Sequence, residues 1–497
     1  MFFTRISAPL EPPQSAPGAF LVQDMWDDFG FKTSFTLWCS NGSRQIQIGT
    51  CKIACFGIER GRVDIPETFD YLTDQYFSLG VDESYYTQLR DEIDPSTRET
   101  VLRALKDAAF DHYIFEIASS ERAMRKSLLR STEPETVTGQ FHRIATGGPT
   151  RSKFDIEYRQ RSPASGQRWV RLGLEADPDA MPPTNVHALI GSNGVGKTHL
   201  LDTLARTVLK ARLQPIDGSR LTDRADNHAY PFANLVSVGF SAFDALEPLA
   251  PTRDVGYQYV GLKKRGESGL KGPSELGEEF AESASACMSQ GPVRARRWRK
   301  VLERLEDTDP IFQDHQIALL ADANAEGPDA QDLFAPLSSG HKIVLLTLAR
   351  LVEHTTERTL VLMDEPEAHL HPPLLSTFIR VLSELLLDTN GVALIATHSP
   401  VVLQETPRRA VWALRRAGDD VRVDHPEIET FGENVGVITR EIFGLEVTRT
   451  GFHAMIEELA GADLNYEDIL GAFAGALGAE GRALARVAAR RHRDGRR

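Results

Sequence analysis

The chain has 497 residues, of which 41% are hydrophobic and 25% charged, a composition typical of a globular protein. The formal net charge of -14 argues against a protein that coats nucleic acid with its whole surface, although a local basic patch is compatible with it. The sequence has no run of about 18 apolar residues, so neither a transmembrane helix nor a membrane partner is predicted. The N-terminus lacks the apolar stretch of a signal peptide, and the four cysteines form no C-x-x-C pair, so we expect reduced thiols and a cytoplasmic protein.

The first part of the chain changes from strand-like to helical patterns. Apolar residues alternate with polar ones up to about residue 60, which predicts an N-terminal β part over 1–60. A helical pattern follows, and we expect a helical insertion over 61–150.

Apolar strands and helices then alternate. A buried strand at 186–190 runs into a glycine-rich loop and a helix, within a predicted lobe over 151–244. A mixed-charge, irregular to helical insertion is expected over 245–335. A lobe over 336–447 and a helical segment with a basic tail over 448–497 complete the chain. The alternation predicts an α/β fold with a parallel sheet covered by helices on both faces.

The glycine-rich loop after the 186–190 strand carries the strongest chemical signal. Residues 191–198 read GSNGVGKT, a complete G-x-x-x-x-G-K-[ST] P-loop. Glycines let backbone amides surround phosphate oxygens, the helix N-terminus favours negative charge, the lysine reaches the β/γ-phosphates and the threonine hydroxyl binds Mg²⁺. The predicted phosphate-binding residues are Asn193, Gly194, Val195, Gly196, Lys197 and Thr198.

Two acids end a later apolar strand, LVLMDE. Ligands of parallel sheets bind beyond the carboxyl ends of strands, so we expect both side chains at the P-loop. Asp364 is the predicted Mg²⁺ residue beside Thr198, and Glu365 is the predicted catalytic residue that orients water.

The segment LSSGH opens a helix about two dozen residues before the acids. Alone, it is equally well explained by a serine N-cap. In this position it resembles the LSGGQ signature of ABC ATPases, with Ser339 and His341 departing from the consensus. The resemblance implies that Ser338, Ser339 and Gly340 act in trans on the phosphate bound by a second subunit.

The strand VALIAT is followed by His398 and Pro400. A lone histidine at a strand end is more often structural, but in this order it resembles the ABC switch histidine, and His398 is a predicted catalytic residue. The preceding segment PEAHLHP resembles the D-loop. His369 and His371 lack a third metal ligand in the sequence, so we interpret them as interface residues.

The ABC resemblance covers roughly 180–450. It implies an ABC ATPase head, in which 1–60 form an N-terminal antiparallel β part. It also implies ATP and Mg²⁺ as cofactors, hydrolysis at composite sites, and a head-to-tail homodimer or higher even oligomer. The Q-loop glutamine is left open between a replacement within 240–244 and Gln258. The adenine-stacking aromatic is left open between Tyr158 and Trp169.

Within the ABC group, the phrases DEPEAHLHP and ATHSP resemble RecF-like and overcoming-lysogenization-defect-like ATPases. WDDFGFK, FSAFD, YVGL and GENVGVITREIFGLEV are similar to PtuA, the ATPase of Septu-type anti-phage systems. This resemblance implies a regulator of a separately encoded HNH nuclease that acts in trans. The alternative is a RecF-like DNA-binding ATPase in repair or recombination.

Two basic segments are candidates for DNA or RNA contact. One contains Arg294, Arg296, Arg297 and Trp298, with the indole as a stacking group, and the other is the arginine-rich tail. A solvated helix face and a terminus without a fixed partner explain both segments slightly better.

Overall fold

The computed structural model describes most of the chain. The described residues are 2–7, 16–24, 26–130, 132–161, 169–210, 219–224, 232–240, 248–250, 252, 255–264, 269–289, 292–322, 329–417, 420–447, 451–462 and 464–494. Within them, no helix is both long enough and apolar enough to span a bilayer.

An N-terminal unit is built around its own sheet. Its strands are β1 (Phe3–Ser7), β2 (Pro17–Gln23), β3 (Phe31–Lys32), β4 (Ser34–Asn41), β5 (Gln45–Cys55), β6 (Gly61–Arg62), β7 (Thr68–Phe69) and β8 (Tyr76–Gly80). The sheet order is β7-β1-β2-β4-β5-β8, with β1 and β2 parallel and the other neighbours antiparallel. The helices are α1 (Glu83–Glu92), α2 (Pro95–Ala104), α3 (His112–Ala118), α4 (Pro134–Thr136) and α5 (His142–Ala145).

This unit differs from the predicted division at residue 60. β8, which follows residue 60, pairs with β5, which precedes it, so a domain boundary at residue 60 would divide the sheet. One buried apolar cluster extends from Phe3 to Ala145 and joins the sheet to the helices. The predicted N-terminal β part and the predicted helical insertion are therefore one folded unit, because separating the sheet from the helices would expose the apolar face of each.

The second unit, which we call the head, extends from β9 to α14. It begins with β9 (Phe154–Arg161), β10 (Trp169–Ala176), β11 (Val186–Ile190), α6 (Lys197–Lys210), β12 (Arg220–Asp223), β13 (Asn234–Gly239) and β14 (Gly256–Gly261). It continues with α7 (Pro273–Ser289), α8 (Pro292–Thr308), α9 (Pro310–Asp314), α10 (Ala330–Phe334), α11 (Ser339–His354), β15 (Thr359–Asp364), α12 (Pro372–Asp388), β16 (Val392–Ala396) and α13 (Pro400–Gln404). β17 (Val411–Ala417) and β18 (Asp420–Asp424) end its sheet, and α14 (Val435–Val447) follows.

Among the described strands of the head, seven form the central sheet in the order β14-β13-β15-β16-β11-β17-β18. All neighbours are parallel except β17 and β18. β11, β15 and β16 are buried along their whole length, since apolar clusters cover both faces of the sheet. The predicted α/β fold with a parallel sheet between helices is confirmed.

The antiparallel part of the head comes from a different stretch than predicted. β9 pairs antiparallel with both β10 and β12 in a three-stranded sheet. Its apolar residues share one buried cluster with β11 and α6. The strands β9, β10 and β12 therefore supply the antiparallel β structure beside the P-loop, whereas β1 to β5 belong to the separate N-terminal unit.

The predicted insertion at 245–335 is largely part of the head. β14 is an edge strand of the central sheet, and α7 and α8 pack on α11. Trp298 of α8 is 0% exposed and lies in the same apolar cluster as α11 and α12. The mixed charge of this stretch reflects its outer face, while its inner face completes the core.

The N-terminal unit contacts the head away from the carboxyl ends of the sheet strands. Arg143 donates to the buried Glu357 carboxylate at 3.0 Å, and Asn390 donates to the same carboxylate at 2.9 Å. Glu357 and Asn390 precede β15 and β16, so this contact lies at the amino ends of those strands. The C-terminal helices α15 (Gly451–Gly461), α16 (Tyr466–Ala472) and α17 (Ala479–Asp494) enclose a small apolar cluster of their own.

Candidate nucleotide site

The P-loop joins β11 to α6 as the sequence predicts. Gly194 and Gly196 have φ angles of 74° and 109°, in the left-handed region that favours glycine. A Cβ at either position would meet nothing within 4 Å, so the backbone conformation rather than lack of space calls for glycine there. A Cβ on Gly191 would lie 2.5 Å from the Leu414 carbonyl oxygen, a clash with backbone. The loop therefore has the tight turn and close backbone approach that suit a phosphate group.

Lys197 is the first residue of α6 and only 6% exposed. Its Nζ donates to the Gly191 carbonyl oxygen at 3.1 Å and contacts His398 Nε2. Thr198 follows it and is half-buried, and the Val195 side chain is buried in the apolar cluster that includes β11 and α6. The lysine ammonium is thus held across the loop, at the end of the sheet where β11 meets β16.

The two predicted acids lie at the carboxyl end of β15. Asp364 is 5% exposed and pairs with Ala396 of β16, while the Glu365 backbone N–H donates to the Ala396 carbonyl at 2.9 Å. Glu365 has a φ of 45°, which is uncommon for a residue other than glycine and redirects the chain at this point. Its side chain is 44% exposed, and its Oε1 lies 3.6 Å from His398 Nε2.

The structure therefore brings together groups that are far apart in sequence. β11, β15 and β16 are neighbours, and their carboxyl ends deliver Lys197, Glu365 and His398 to one place. His398 Nε2 touches the lysine on one side and faces the glutamate on the other. A cation, an acid and an imidazole at the end of a glycine-rich loop form an arrangement that is compatible with phosphoryl transfer to water.

Glu367 is a further residue of the site that none of the sequence motifs predicted. Its Oε1 accepts from the Thr397 hydroxyl at 2.8 Å and from the His398 backbone N–H at 2.7 Å. It therefore fixes the segment that presents His398 to Lys197. The available signal was a further carboxylate two residues after Glu365, directly beyond a strand end.

The signature segment begins α11, with Ser338 as the N-cap. Ser338 and Ser339 are exposed, whereas Gly340 is buried. A Cβ on Gly340 would lie 2.7 Å from the His369 carbonyl oxygen, so glycine allows the signature to pack against the D-loop of the same chain. The exposed serines at a helix N-terminus remain accessible to a second molecule.

The basic segment on α8 differs from its prediction. Trp298 cannot stack on a base because its ring is buried, so that prediction is wrong. Arg297 Nη2 donates to the Asp388 carbonyl at 3.0 Å, and burial lowers the pKa of this guanidinium. Arg294 lies 3.9 Å from the Glu133 carboxylate, while Arg296 is exposed. The spacing of Trp298, Val301, Leu302 and Leu305 marks an apolar helix face, which explains the buried indole.

The open assignments are partly resolved. Tyr158 is 0% exposed in β9, so it is not an adenine-stacking residue. The Trp169 side chain and residues 241–244 lie outside the described residues. Gln258 pairs with Val236 within the sheet, and Phe240 accepts a hydrogen bond from His369 through its carbonyl at 3.2 Å.

The family comparison covers the part of the chain that carries most of these motifs. A family model described as "AAA domain, putative AbiEii toxin, Type IV TA system" matches residues 285–404, which include the signature, both acids and His398. Protein ea59 of Escherichia phage lambda is 36% identical over 495 residues, covering 93% of each chain. The chain belongs to the ea59 family.

Solved structures that align with part of this chain include ATP-binding cassettes. The ADP conformation of MJ1267, an ATP-binding cassette of an ABC transporter, is 16% identical, with a TM-score of 0.31 over 60% of this chain and 100% of that one. The cbiO1 protein from Clostridium perfringens, part of the transporter complex cbiONQ, is 15% identical, with a TM-score of 0.32 over 60% and 95%. The family match and the order of motifs on the sheet support an ABC/AAA-type ATPase domain in this chain.

Proposed function

We propose that this ea59-family protein binds Mg²⁺–ATP and hydrolyses it at composite sites in a head-to-tail homodimer. The observation that carries the proposal is the meeting of Lys197, Glu365 and His398 at the carboxyl ends of three neighbouring strands, beside the glycine turns of the P-loop. Each group comes from a different motif, and the fold alone brings them into contact.

Different residues of the chain have different roles in ATP binding and hydrolysis. The backbone amides of 193–198 and the Lys197 ammonium bind the β/γ-phosphates, and Thr198 and Asp364 would hold Mg²⁺. When bound there, the ion would supply positive charge that offsets the charge on the phosphate oxygens. Glu365, exposed enough to meet solvent, orients a water and accepts its proton. His398 contacts the terminal phosphate, and Glu367 holds it there.

The second subunit supplies the signature. Ser338 and Ser339 are exposed at the N-terminus of α11, where backbone N–H groups and the helix dipole attract an anion. A head-to-tail dimer places these groups on the phosphate bound by the other P-loop. ATP then links the two subunits, and its hydrolysis releases them.

The test uses the Glu365→Gln variant, which keeps the binding residues but lacks the carboxylate base. We expect this variant to be monomeric without nucleotide and with Mg²⁺–ADP, and dimeric with Mg²⁺–ATP, when its mass is measured by light scattering. A mass that ATP leaves unchanged would argue against the composite site.

We further propose that the ATP-bound dimer regulates a separately encoded HNH nuclease, on the strength of the PtuA-like phrases. Tagged Glu365→Gln expressed from its native operon is expected to co-purify with that nuclease in stoichiometric amount. A tagged chain that purifies alone, with DNA-stimulated ATPase activity in the wild type, would favour the RecF-like alternative instead.

A further inference from the structure

The signature serine is connected to a buried acid through His341. His341 Nδ1 lies 2.6 Å from Ser338 Oγ, and His341 Nε2 lies 3.3 and 3.4 Å from the two carboxylate oxygens of Asp309. The side chains of His341 and Asp309 are 2% and 8% exposed. A serine hydroxyl, an imidazole and a carboxylate thus form a chain from the surface into the interior.

The surroundings fix this chain in place. Asp309 caps α9 by accepting from the Ile311 backbone N–H at 2.9 Å, and the Phe312 and His341 rings are nearly perpendicular with centroids 4.8 Å apart. Among the histidines, cysteines and acids of the described residues, Asp309 and His371 cluster with His341, and the ring centroids of His371 and His341 are 6.0 Å apart. The Leu374 backbone N–H donates to His371 Nδ1 at 3.3 Å, so His371 serves as a helix cap.

The direction of the hydrogen bonds follows from the number of protons. In a neutral His341, the Nε2–H donates to the Asp309 carboxylate, so Nδ1 is an acceptor. The Ser338 hydroxyl has one proton and donates it to Nδ1. Its outward side then offers only lone pairs, which repel phosphate oxygens.

We propose that Asp309 and His341 control the Ser338 hydroxyl, and that engagement of the γ-phosphate in the partner subunit is accompanied by uptake of one proton on His341. This inference rests on the proposed function. A protonated imidazole donates from both nitrogens, to Asp309 and to Ser338 Oγ, and the hydroxyl proton becomes free to point at the phosphate. Asp309 and His341 are positioning residues, since Ser338 makes the contact.

The experiment measures the dissociation constant of the ATP-bound dimer in the Glu365→Gln background from about pH 6 to pH 8 by sedimentation. We expect the parent dimer to weaken as the pH rises, because His341 must be protonated in the dimer. His341→Gln is expected to flatten this dependence. Asp309→Asn is expected to weaken the dimer by roughly tenfold, because the protonated imidazole loses its charged partner. Effects of pH on ATP and on groups outside this cluster are common to all variants and cancel in the ratio to the parent.

Binding of a fluorescent ATP analogue to each monomer verifies that the variants are folded, and His371→Ala is the matched control. This control is expected to retain the pH slope even if the dimer weakens uniformly. A slope in His341→Gln equal to that of the parent, or a slope that disappears in His371→Ala, would overturn the inference while leaving the composite site intact. Absence of an ATP-driven dimer at every pH would instead contradict the proposed function and the inference together.

Discussion

Replacing Lys197 with alanine is expected to abolish nucleotide binding, lowering ATP affinity by at least about a hundredfold, because a charge-assisted contact to the phosphates is lost in a nearly buried position. The ammonium also contacts His398, so its removal disturbs the phosphate side of the site as a whole. Equilibrium titration with a fluorescent ATP analogue measures the effect.

Arg206→Ala is the matched control for this variant. Arg206 is a cation on the same helix, paired with Asp202 one turn earlier and partly exposed. Its loss is expected to change ATP affinity by less than about twofold, since surface pairs contribute little. Wild-type affinity in Lys197→Ala would remove the P-loop assignment.

The second large effect is expected in catalysis rather than binding. Glu365→Gln should reduce steady-state ATP turnover by at least about a hundredfold while retaining ATP affinity, because glutamine keeps the shape but cannot accept the proton of the attacking water. Phosphate release at saturating ATP measures turnover, and the binding titration measures affinity.

Glu367→Gln separates this role from a general effect of removing a nearby acid. Its Oε1 accepts from Thr397 and His398, which a carboxamide oxygen still does. We expect a loss of turnover of less than about tenfold for this variant. Equal losses in both variants, or wild-type turnover in Glu365→Gln, would contradict the assignment of Glu365 as the base.

The central site could be predicted from sequence because its parts are contiguous motifs at strand ends. The P-loop, the acids after LVLMD and the histidine after VALIAT each combine a buried apolar strand with chemical groups at its carboxyl end. Parallel pairing of β11, β16 and β15 then brings Lys197, His398 and Glu365 into contact without further information. The fold class followed from the same alternation of strands and helices.

Features that depend on long-range packing were not readable in the same way. The pairing of β8 with β5 decides that residues 3–145 form one unit, and no local pattern marks it. The arginines beside Trp298 favour an exposed helix face, although the spacing of Trp298 with Leu302 and Leu305 indicates a buried one. Asp309 and His341 are 32 residues apart, and only the packing of α9 against α11 brings their side chains together.

The composite site is tested most directly by mixing two inactive variants. Lys197→Ala lacks the P-loop cation but keeps its signature, whereas Ser338→Phe keeps the P-loop but blocks its signature. A head-to-tail heterodimer of the two has one intact site, so mixing is expected to restore roughly a quarter of wild-type turnover once subunits have exchanged. If each subunit hydrolysed ATP with its own signature, the mixture would stay as inactive as its components, and the head-to-tail dimer would be contradicted.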